Sequence, residues 1–320
     1  MITGAQILCE CLIREGVDVI FGLTGGAVVP LYDAFHEYPQ IRRVLVRHEQ
    51  GAAHAAAGYA RVAYRAGVCV ATSGPGATNL VTGVADAYMD STPLVVITGQ
   101  VAGSSIGKDT FQECDITGIT LPVVKHNYLV RDVRDLARII KEAFHIAQTG
   151  RPGPVLIDIP RDVQVSKCEF SYPGSVNLPG YYPPSMADSA HVARVADLMS
   201  RAERPLIVAG RGVIVSRAYD ELRDLAEKLQ SPVVHTLLGL GSFPPRHKLD
   251  LGMIGMHGSG YANRAVQQAD LVLALGTRLG DRATMQTSAF ARSALVVHID
   301  IDPAEINKNI RPFASLVGDL

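Results

Sequence analysis

The chain of 320 residues has no tryptophan, and that absence decides nothing by itself. Other absences exclude more. The five cysteines, Cys9, Cys11, Cys69, Cys114 and Cys168, form no Cys-x-x-Cys pair. An odd count without a framework fits reduced thiols in a cytoplasmic protein. The ten histidines are scattered, with no zinc spacing. Net charge is −1, so no polyanion-binding surface is implied and nucleic acid is not an expected partner. The 48% hydrophobic fraction is spread too widely for membrane spans, and Met1 to Val19 reads as an amphipathic helix rather than a signal segment. No Walker loop occurs, because no Gly-Lys-Ser/Thr follows the loop at Thr72 to Asn79.

What is present argues for about two domains, with enough apolar residues for two cores. Apolar runs without alternation, separated by helical periodicity, predict parallel sheets buried on both faces. In the first half such runs lie at 17–23, 44–46, 67–71, 93–99, 126–130 and 155–159. Thr3-Gly4-Ala5-Gln6 has the form of a capping box and opens a helix carrying Ile7, Leu8, Cys11 and Leu12 on one face. A second helix carries Val28, Leu31, Tyr32 and Phe35, and residues 132–149 form a third. The first domain spans 1–165. Residues 166–186, with four prolines and two glycines, read as an ordered linker. The second domain spans 187–320, with strands at 205–209, 232–236, 270–275 and 295–300 and helices near 191–201, 217–228, 262–268 and 303–309. The expected architecture is α/β, with two doubly wound parallel-sheet domains.

One stretch organises the first domain. Val44-Leu45-Val46 leads through Arg47-His48 to Glu49, and a helix made largely of alanine and glycine follows, as far as Arg61. Such a helix has little side-chain bulk, so another backbone or a flat ligand can approach it closely. Glu49 sits at a strand-to-helix junction, where catalytic residues of open α/β sheets tend to lie. The same Glu would equally serve to offset the helix dipole. Gly25-Gly26-Ala27 follows the first strand, and the glycines permit a tight turn; an ordinary strand–helix turn explains them as well. Thr72-Ser73-Gly74-Pro75-Gly76-Ala77-Thr78-Asn79 offers free amides and hydroxyls at a helix start. A lone Phe such as Phe111 is usually a core residue. Gly210-Arg211-Gly212 invites a dinucleotide reading but lacks the third glycine of that fingerprint. His257 reads equally well as a satisfied surface histidine.

Taken together, Gly25-Gly26-Ala27-Val28, Arg47-His48-Glu49, Thr72 to Asn79, Thr98-Gly99-Gln100 and Phe111-Gln112-Glu113 resemble the pyrimidine-binding half of thiamin diphosphate (thiamine pyrophosphate) enzymes. Within them the chain is similar to the acetohydroxyacid synthases, from about Ile2 to Leu320. The resemblance implies that Glu49, Gly26 and Gln112 are catalytic. It implies that Glu49, Gly25, Gly26, Ala27, Pro75, Asn79 and Gln112 contact thiamin diphosphate, with Glu49 hydrogen-bonded to the aminopyrimidine ring. It implies an FAD site at Arg151, Gly210, Arg211, Gly212, Thr236, Leu237, Met256, His257, Gly258, Gly276, Thr277, Arg278, Asp300, Ile301 and Asp319. Phe111, Arg161 and Arg282 are the implied substrate contacts, Arg282 through the two-pronged fit of a guanidinium to a carboxylate. Leu279 and Gly280 depart from the family's Arg-Phe-Asp-Asp-Arg, Arg161 replaces a frequent Lys, and Ala102 a frequent Pro.

The implied reaction removes CO2 from pyruvate and ligates the two-carbon unit to a second pyruvate or to 2-oxobutyrate, at the entry to branched-chain amino acids. FAD would do no net redox work. Sister activities on the same scaffold are pyruvate oxidase, sulfoacetaldehyde acetyltransferase, glyoxylate carboligase and oxalyl-CoA decarboxylase; the carboligase lacks the glutamate that Glu49 supplies. A non-catalytic FAD- or partner-binding fragment is a further alternative. The family holds the diphosphate through Mg2+ at a Gly-Asp-Gly motif, which these residues do not contain. The expectation is therefore that the Mg2+ ligands and the diphosphate-binding domain lie outside this chain, which would be a fragment or one polypeptide of a split enzyme, inactive alone. A homodimer or higher oligomer is implied, with the Ala-rich helix partly buried against the second subunit, and a regulatory small subunit is a candidate partner.

Overall fold

The computed structural model describes residues 1–320. They divide into two compact units, Met1–Tyr181 and Tyr182–Leu320. The first contains strands β1 (Ile2–Thr3), β2 (Val19–Gly22), β3 (Arg42–Leu45), β4 (Gly67–Ala71), β5 (Leu94–Gln100), β6 (His126–Leu129), β7 (Pro154–Pro160) and β8 (Lys167–Cys168). β2 to β7 form one sheet in the order β3-β2-β4-β5-β7-β6, every neighbouring pair parallel. β1 and β8 form a separate antiparallel pair.

The central strands are mostly apolar because helices cover both of their faces; every residue of β4, β5 and β7 is buried, Thr98, Gln100 and Asp158 included. The helix Gly4–Arg14 opens on the capping box, with Thr3 Oγ1 accepting from Gln6 N at 3.2 Å and Gln6 Oε1 accepting from Thr3 N at 3.0 Å. The segment Phe170 to Tyr181, part of the expected linker across the domain surface, packs on this first core through Phe170, Tyr172, Leu178 and Tyr181.

The helix Glu49–Ala63 buries Ala52, Ala53, Ala56, Ala57 and Ala60. Its small side chains serve contacts inside the unit. A Cβ added at Gly83 would stand 2.5 Å from Ala53 Cβ, and one at Gly67 would stand 2.1 Å from Ala56 O. Both the neighbouring helix Val81–Met89 and strand β4 therefore approach the helix more closely than larger residues would allow.

In the second unit, β9 (Pro205–Ala209), β10 (Val233–His235), β11 (Asp250–Met253), β12 (Leu271–Leu275), β13 (Leu295–Asp300) and β14 (Ala314–Val317) form an all-parallel sheet in the order β11-β10-β9-β12-β13-β14.

Several sequence expectations are corrected. Val44-Leu45-Val46 is not a buried strand: β3 is the outermost strand of its sheet, and Arg42, Arg43 and Leu45 are exposed. The helix expected over 303–309 is a single 3-10 turn, Pro303–Glu305, and Asn307 takes a φ of +66° that no continuing helix could hold. β11, β14 and the short helix Arg211–Ser216 were not expected. The two strands are short and lie at the sheet edges, where no continuous apolar run is needed.

In each sheet the chain's winding reverses beside the first strand, and in the first sheet it turns back once more from the edge strand β6 to β7. In the first, β2 is followed outward by β3, and the chain then crosses back to β4 on the other side. In the second, β9 leads outward to β10 and β11, then back to β12. The crevice between β2 and β4, and that between β9 and β12, are the switch points at which open α/β sheets take their ligands, beyond the carboxyl ends of the strands.

Candidate active site

At the first switch point the loops after β2 and β4 are stitched together. Thr72, directly after β4, accepts from Ala27 N through Oγ1 at 3.1 Å. Gln164 donates from Nε2 to Ala27 O and to Ile159 O, both at 2.8 Å. Gly25 is required here: a Cβ would stand 2.5 Å from Thr72 Cγ2. Gly26 differs, because a Cβ there would meet nothing within 4 Å. The Gly25-Gly26-Ala27 turn is thus pinned from behind and open in front.

Glu49 is the first residue of its helix, after the N-cap His48, whose Nδ1 accepts from Gln50 N at 3.2 Å. Its side chain turns inward and the residue is only 7% exposed. Asn79 Nδ2 donates to Glu49 Oε2 at 2.9 Å. Oε1 accepts no hydrogen bond from the protein and faces Gly76, where a Cβ would stand 3.2 Å from it and 2.7 Å from Thr72 Cγ2. One carboxylate oxygen is therefore fixed and the other is left for a donor from outside. Asn79 ends the short helix Pro75–Asn79, which starts from Gly74. The fold brings Gly25, Gly26, Ala27, Glu49, Pro75 and Asn79 to one crevice, with Pro75 exposed at its rim.

The loop from Val101 to Cys114 leans on this crevice. Gly74 has a φ of +56°, and a Cβ there would come within 2.5 Å of Gln112 O. Gln112 itself has a φ of +58°, unusual for a residue with a side chain. Phe111 is 85% exposed, which removes the core-aromatic reading. Glu113 folds the loop on itself, accepting from the amides of Gly107, Lys108 and Thr110. These bonds, that from Gly107 first, hold its carboxyl below the ordinary range. Asp162 Oδ1 accepts from Gly103 N at 3.0 Å, beside the exposed Arg161 that opens the helix Arg161–Val165.

Thr72, Gln164, Gln100 and Asp158 belong to the same neighbourhood; the sequence marks Thr72 and Gln100 only as members of their motifs and singles out neither Gln164 nor Asp158. Asp158 is 1% exposed, and burial pushes its carboxyl up to about 7 against the pull of hydrogen bonds from Thr98 and Gln100. A buried polar residue inside an apolar strand is the one signal that could have found it.

In the second unit, the candidate residues stand at the carboxyl ends of all six strands. Gly210, Arg211 and Gly212 follow β9; Thr236 and Leu237 follow β10; Met256, His257 and Gly258 follow β11; Gly276, Thr277 and Arg278 follow β12. Asp300 and Ile301 lie at the end of β13, and Asp319 just beyond β14. At the switch point two loops touch backbone to backbone: Gly210 N donates to Leu275 O at 2.8 Å and Gly212 N to Gly276 O at 2.9 Å. Cβ atoms at Gly210 and Gly212 would stand 2.3 Å from Gly276 O and 2.5 Å from Gly276 Cα. His257 is exposed, as is Arg282, whose Nη1 lies 3.5 Å from Asp281 and 3.8 Å from Met256 Sδ. Arg151 belongs to the first unit, at the amino end of β7, where its Nε donates to Ser91 Oγ at 2.8 Å.

No group of three or more His, Cys, Asp or Glu side chains converges, so these residues form no cage for Mg2+. All five cysteines are free thiols, and no helix is long and apolar enough to cross a membrane.

Comparison with known proteins matches residues 2–119 to the family described as thiamine pyrophosphate enzyme, N-terminal TPP binding domain, and residues 192–320 to thiamine pyrophosphate enzyme, central domain. The chain is 54% identical over 319 residues to the acetolactate synthase large subunit of Mycobacterium tuberculosis, covering 100% of this chain and 52% of that one. It is 50% identical over 317 residues to the acetolactate synthase large subunit of Corynebacterium glutamicum, covering 99% of this chain and 51% of the relative. The chain spans about half the length of the curated relatives it matches.

Proposed function

Because the chain belongs to the thiamine pyrophosphate enzymes and carries their N-terminal and central domains, we propose that it supplies the pyrimidine-side half of an acetolactate synthase. The activity is decarboxylation of pyruvate and ligation of the two-carbon unit to a second 2-oxo acid, pyruvate or 2-oxobutyrate, in the cytoplasm. The observation that carries this reading is the Glu49 carboxyl: buried at the switch point, held on Oε2 by Asn79, and without a protein partner on Oε1.

Thiamin diphosphate, when bound, supplies the electron sink that lets CO2 leave a 2-oxo acid. The residues fit its flat pyrimidine end: Gly26 has open space in front of it, and Gly76 lets the backbone approach Glu49. Glu49 would share a proton through Oε1 with a ring nitrogen, a task suited to a carboxyl in a dry site. Asn79 keeps Oε2 occupied, so that Oε1 would be the oxygen left for the ring. Thr72 and Gln164 hold the Gly25-Gly26-Ala27 backbone, which would line the place of the ring. Phe111 and Gln112 would receive the 2-oxo acid, with Arg161 as a candidate guanidinium partner for its carboxylate; Arg282, in the second unit, is a substrate candidate on the family resemblance alone.

FAD is proposed for the second crevice, because its second-unit candidates stand at the carboxyl ends of the strands, those after β9 and β12 at the switch point itself. The residues here do not fit Mg2+, and no step is derived through it. Homodimers or higher oligomers and a regulatory small subunit complete the proposed assembly. Product analysis of the holoenzyme tests the reading. Acetolactate from pyruvate alone, and acetohydroxybutyrate when 2-oxobutyrate is added, are expected. Acetyl phosphate or peroxide in their place would assign a sister activity.

A further inference from the structure

Asp158 and Gln100 are both buried, at 1% and 3% exposure, near the carboxyl ends of the adjacent strands β7 and β5. Asp158 uses both oxygens inward: Oδ1 accepts from Thr98 Oγ1 at 2.7 Å and Oδ2 from Gln100 Nε2 at 2.9 Å. The same Gln100 nitrogen donates its second hydrogen to Cys114 O at 2.8 Å, and Gln100 Oε1 accepts from Val101 N at 2.9 Å. One amide therefore grips both ends of the loop 101–114. Its direction is set by the carboxyl: with Nε2 between Asp158 and Cys114 O, Oε1 must face Val101. Within the gripped loop lie Phe111 and Gln112, and Gln112 rests its backbone on Gly74, the residue before the helix that presents Asn79 to Glu49.

We infer that Asp158 is a positioning residue for the Phe111–Gln112 segment, acting through the Gln100 amide that closes the loop at both ends. What that segment receives, a 2-oxo acid, rests on the reading in the previous subsection; the tether does not. An isolated buried carboxyl would need only to satisfy its own oxygens. Here the carboxyl also fixes which way a second side chain faces, and so where an exposed loop stands.

Two substitutions separate these roles. Asp158→Ala removes the acceptor for Gln100. Asp158→Asn keeps an oxygen for Gln100 and can give its amide to Thr98 Oγ1. Amide hydrogen exchange on the 320-residue chain is expected to run roughly tenfold faster at Val101 and over 107–116 in Asp158→Ala. It should stay unchanged within β5 and β7, and return to the wild-type pattern in Asp158→Asn. Gln100→Leu should reproduce the loop effect with Asp158 intact, and decides the matter if Asp158→Ala does not fold. Loop exchange that stays at wild-type rates in Asp158→Ala or Gln100→Leu, or that rises equally across β5 and β7, would overturn the inference.

In the holoenzyme, Asp158→Ala is expected to raise KM for the 2-oxo acid by about tenfold with kcat held within about threefold, and Asp158→Asn to restore it. A fall in kcat with KM unchanged would contradict positioning of the substrate segment. Wild-type holoenzyme inert toward pyruvate would sink the functional reading, and the exchange arm would still decide the tether.

Discussion

The two sheets each have six parallel strands and each reverse beside their first strand, yet their crevices hold different groups. Between β2 and β4 the crevice is lined by side chains with protons to share or hold: Glu49 and Asn79, backed by Thr72. Between β9 and β12 it is lined by backbone, with Gly210 and Gly212 laid on Leu275 and Gly276. The buried His298, on β13, has its Nε2 2.8 Å from Thr277 O and 3.9 Å from Asp300 Oδ2. Topology decides where each unit offers a ligand a place. The residues at the strand ends decide what can be done with it: on the proposed function, proton sharing in the first unit and close approach of backbone to FAD in the second.

Substitutions can break this contrast on either side, and the largest effect is expected at Glu49. Glu49→Gln keeps the shape and removes a group that can give up a proton; holoenzyme turnover of pyruvate should fall about 10²–10⁴-fold with the melting temperature unchanged. Gly210→Val comes next. Its side chain would enter the space of Gly276 O, and the lost packing should cost the second unit about 1–3 kcal/mol by denaturant unfolding. Asn79→Ala leaves the Glu49 carboxyl without its donor; about 1–3 kcal/mol of first-unit stability should go, with turnover reduced as well.

The next contrast is in pH. Asp158, with an ordinary value of 3.8, is pushed up to about 7 by burial, and the neighbouring Asp115 charge adds to the rise. The folded chain then binds a proton between pH 4 and 7 that the unfolded chain has released. Its contribution is fully present below pH 4 and is lost as pH rises through 7. The slope is at most about 1.4 kcal/mol per pH unit. Unfolding curves at several pH values should show a decline that Asp158→Asn abolishes. Smallest is the matched pair of helix caps: Thr3→Ala should cost the first unit about 1 kcal/mol, and Asp188→Ala should lower the stability of the second unit alone, both read by denaturant unfolding.

Much of the fold is legible because central parallel strands are largely apolar runs without alternation. Gly67–Ala71, Pro205–Ala209 and Leu295–Asp300 come out with the expected bounds. The edges carry no such mark: Asp250-Leu251-Gly252-Met253 reads as loop until β10 pairs with it. At residue 303 a proline after an aspartate looks like a helix start, and the left-handed Asn307 ends it at once. Glu49 stands out because a strand–carboxylate–alanine sequence is local. The Gln100–Asp158 pair is separated by 58 residues, and only the neighbouring strands β5 and β7 bring it together. Buried polar partners of that kind leave no periodic trace.

The contrast between the crevices is tested most directly by FAD affinity, read from flavin fluorescence, for wild-type chain, Glu49→Gln and Gly210→Val measured side by side. The account expects Glu49→Gln to bind FAD as the wild type does and Gly210→Val to lose it. FAD bound equally well by Gly210→Val, or lost on changing Glu49, would contradict the division of labour between the two switch points.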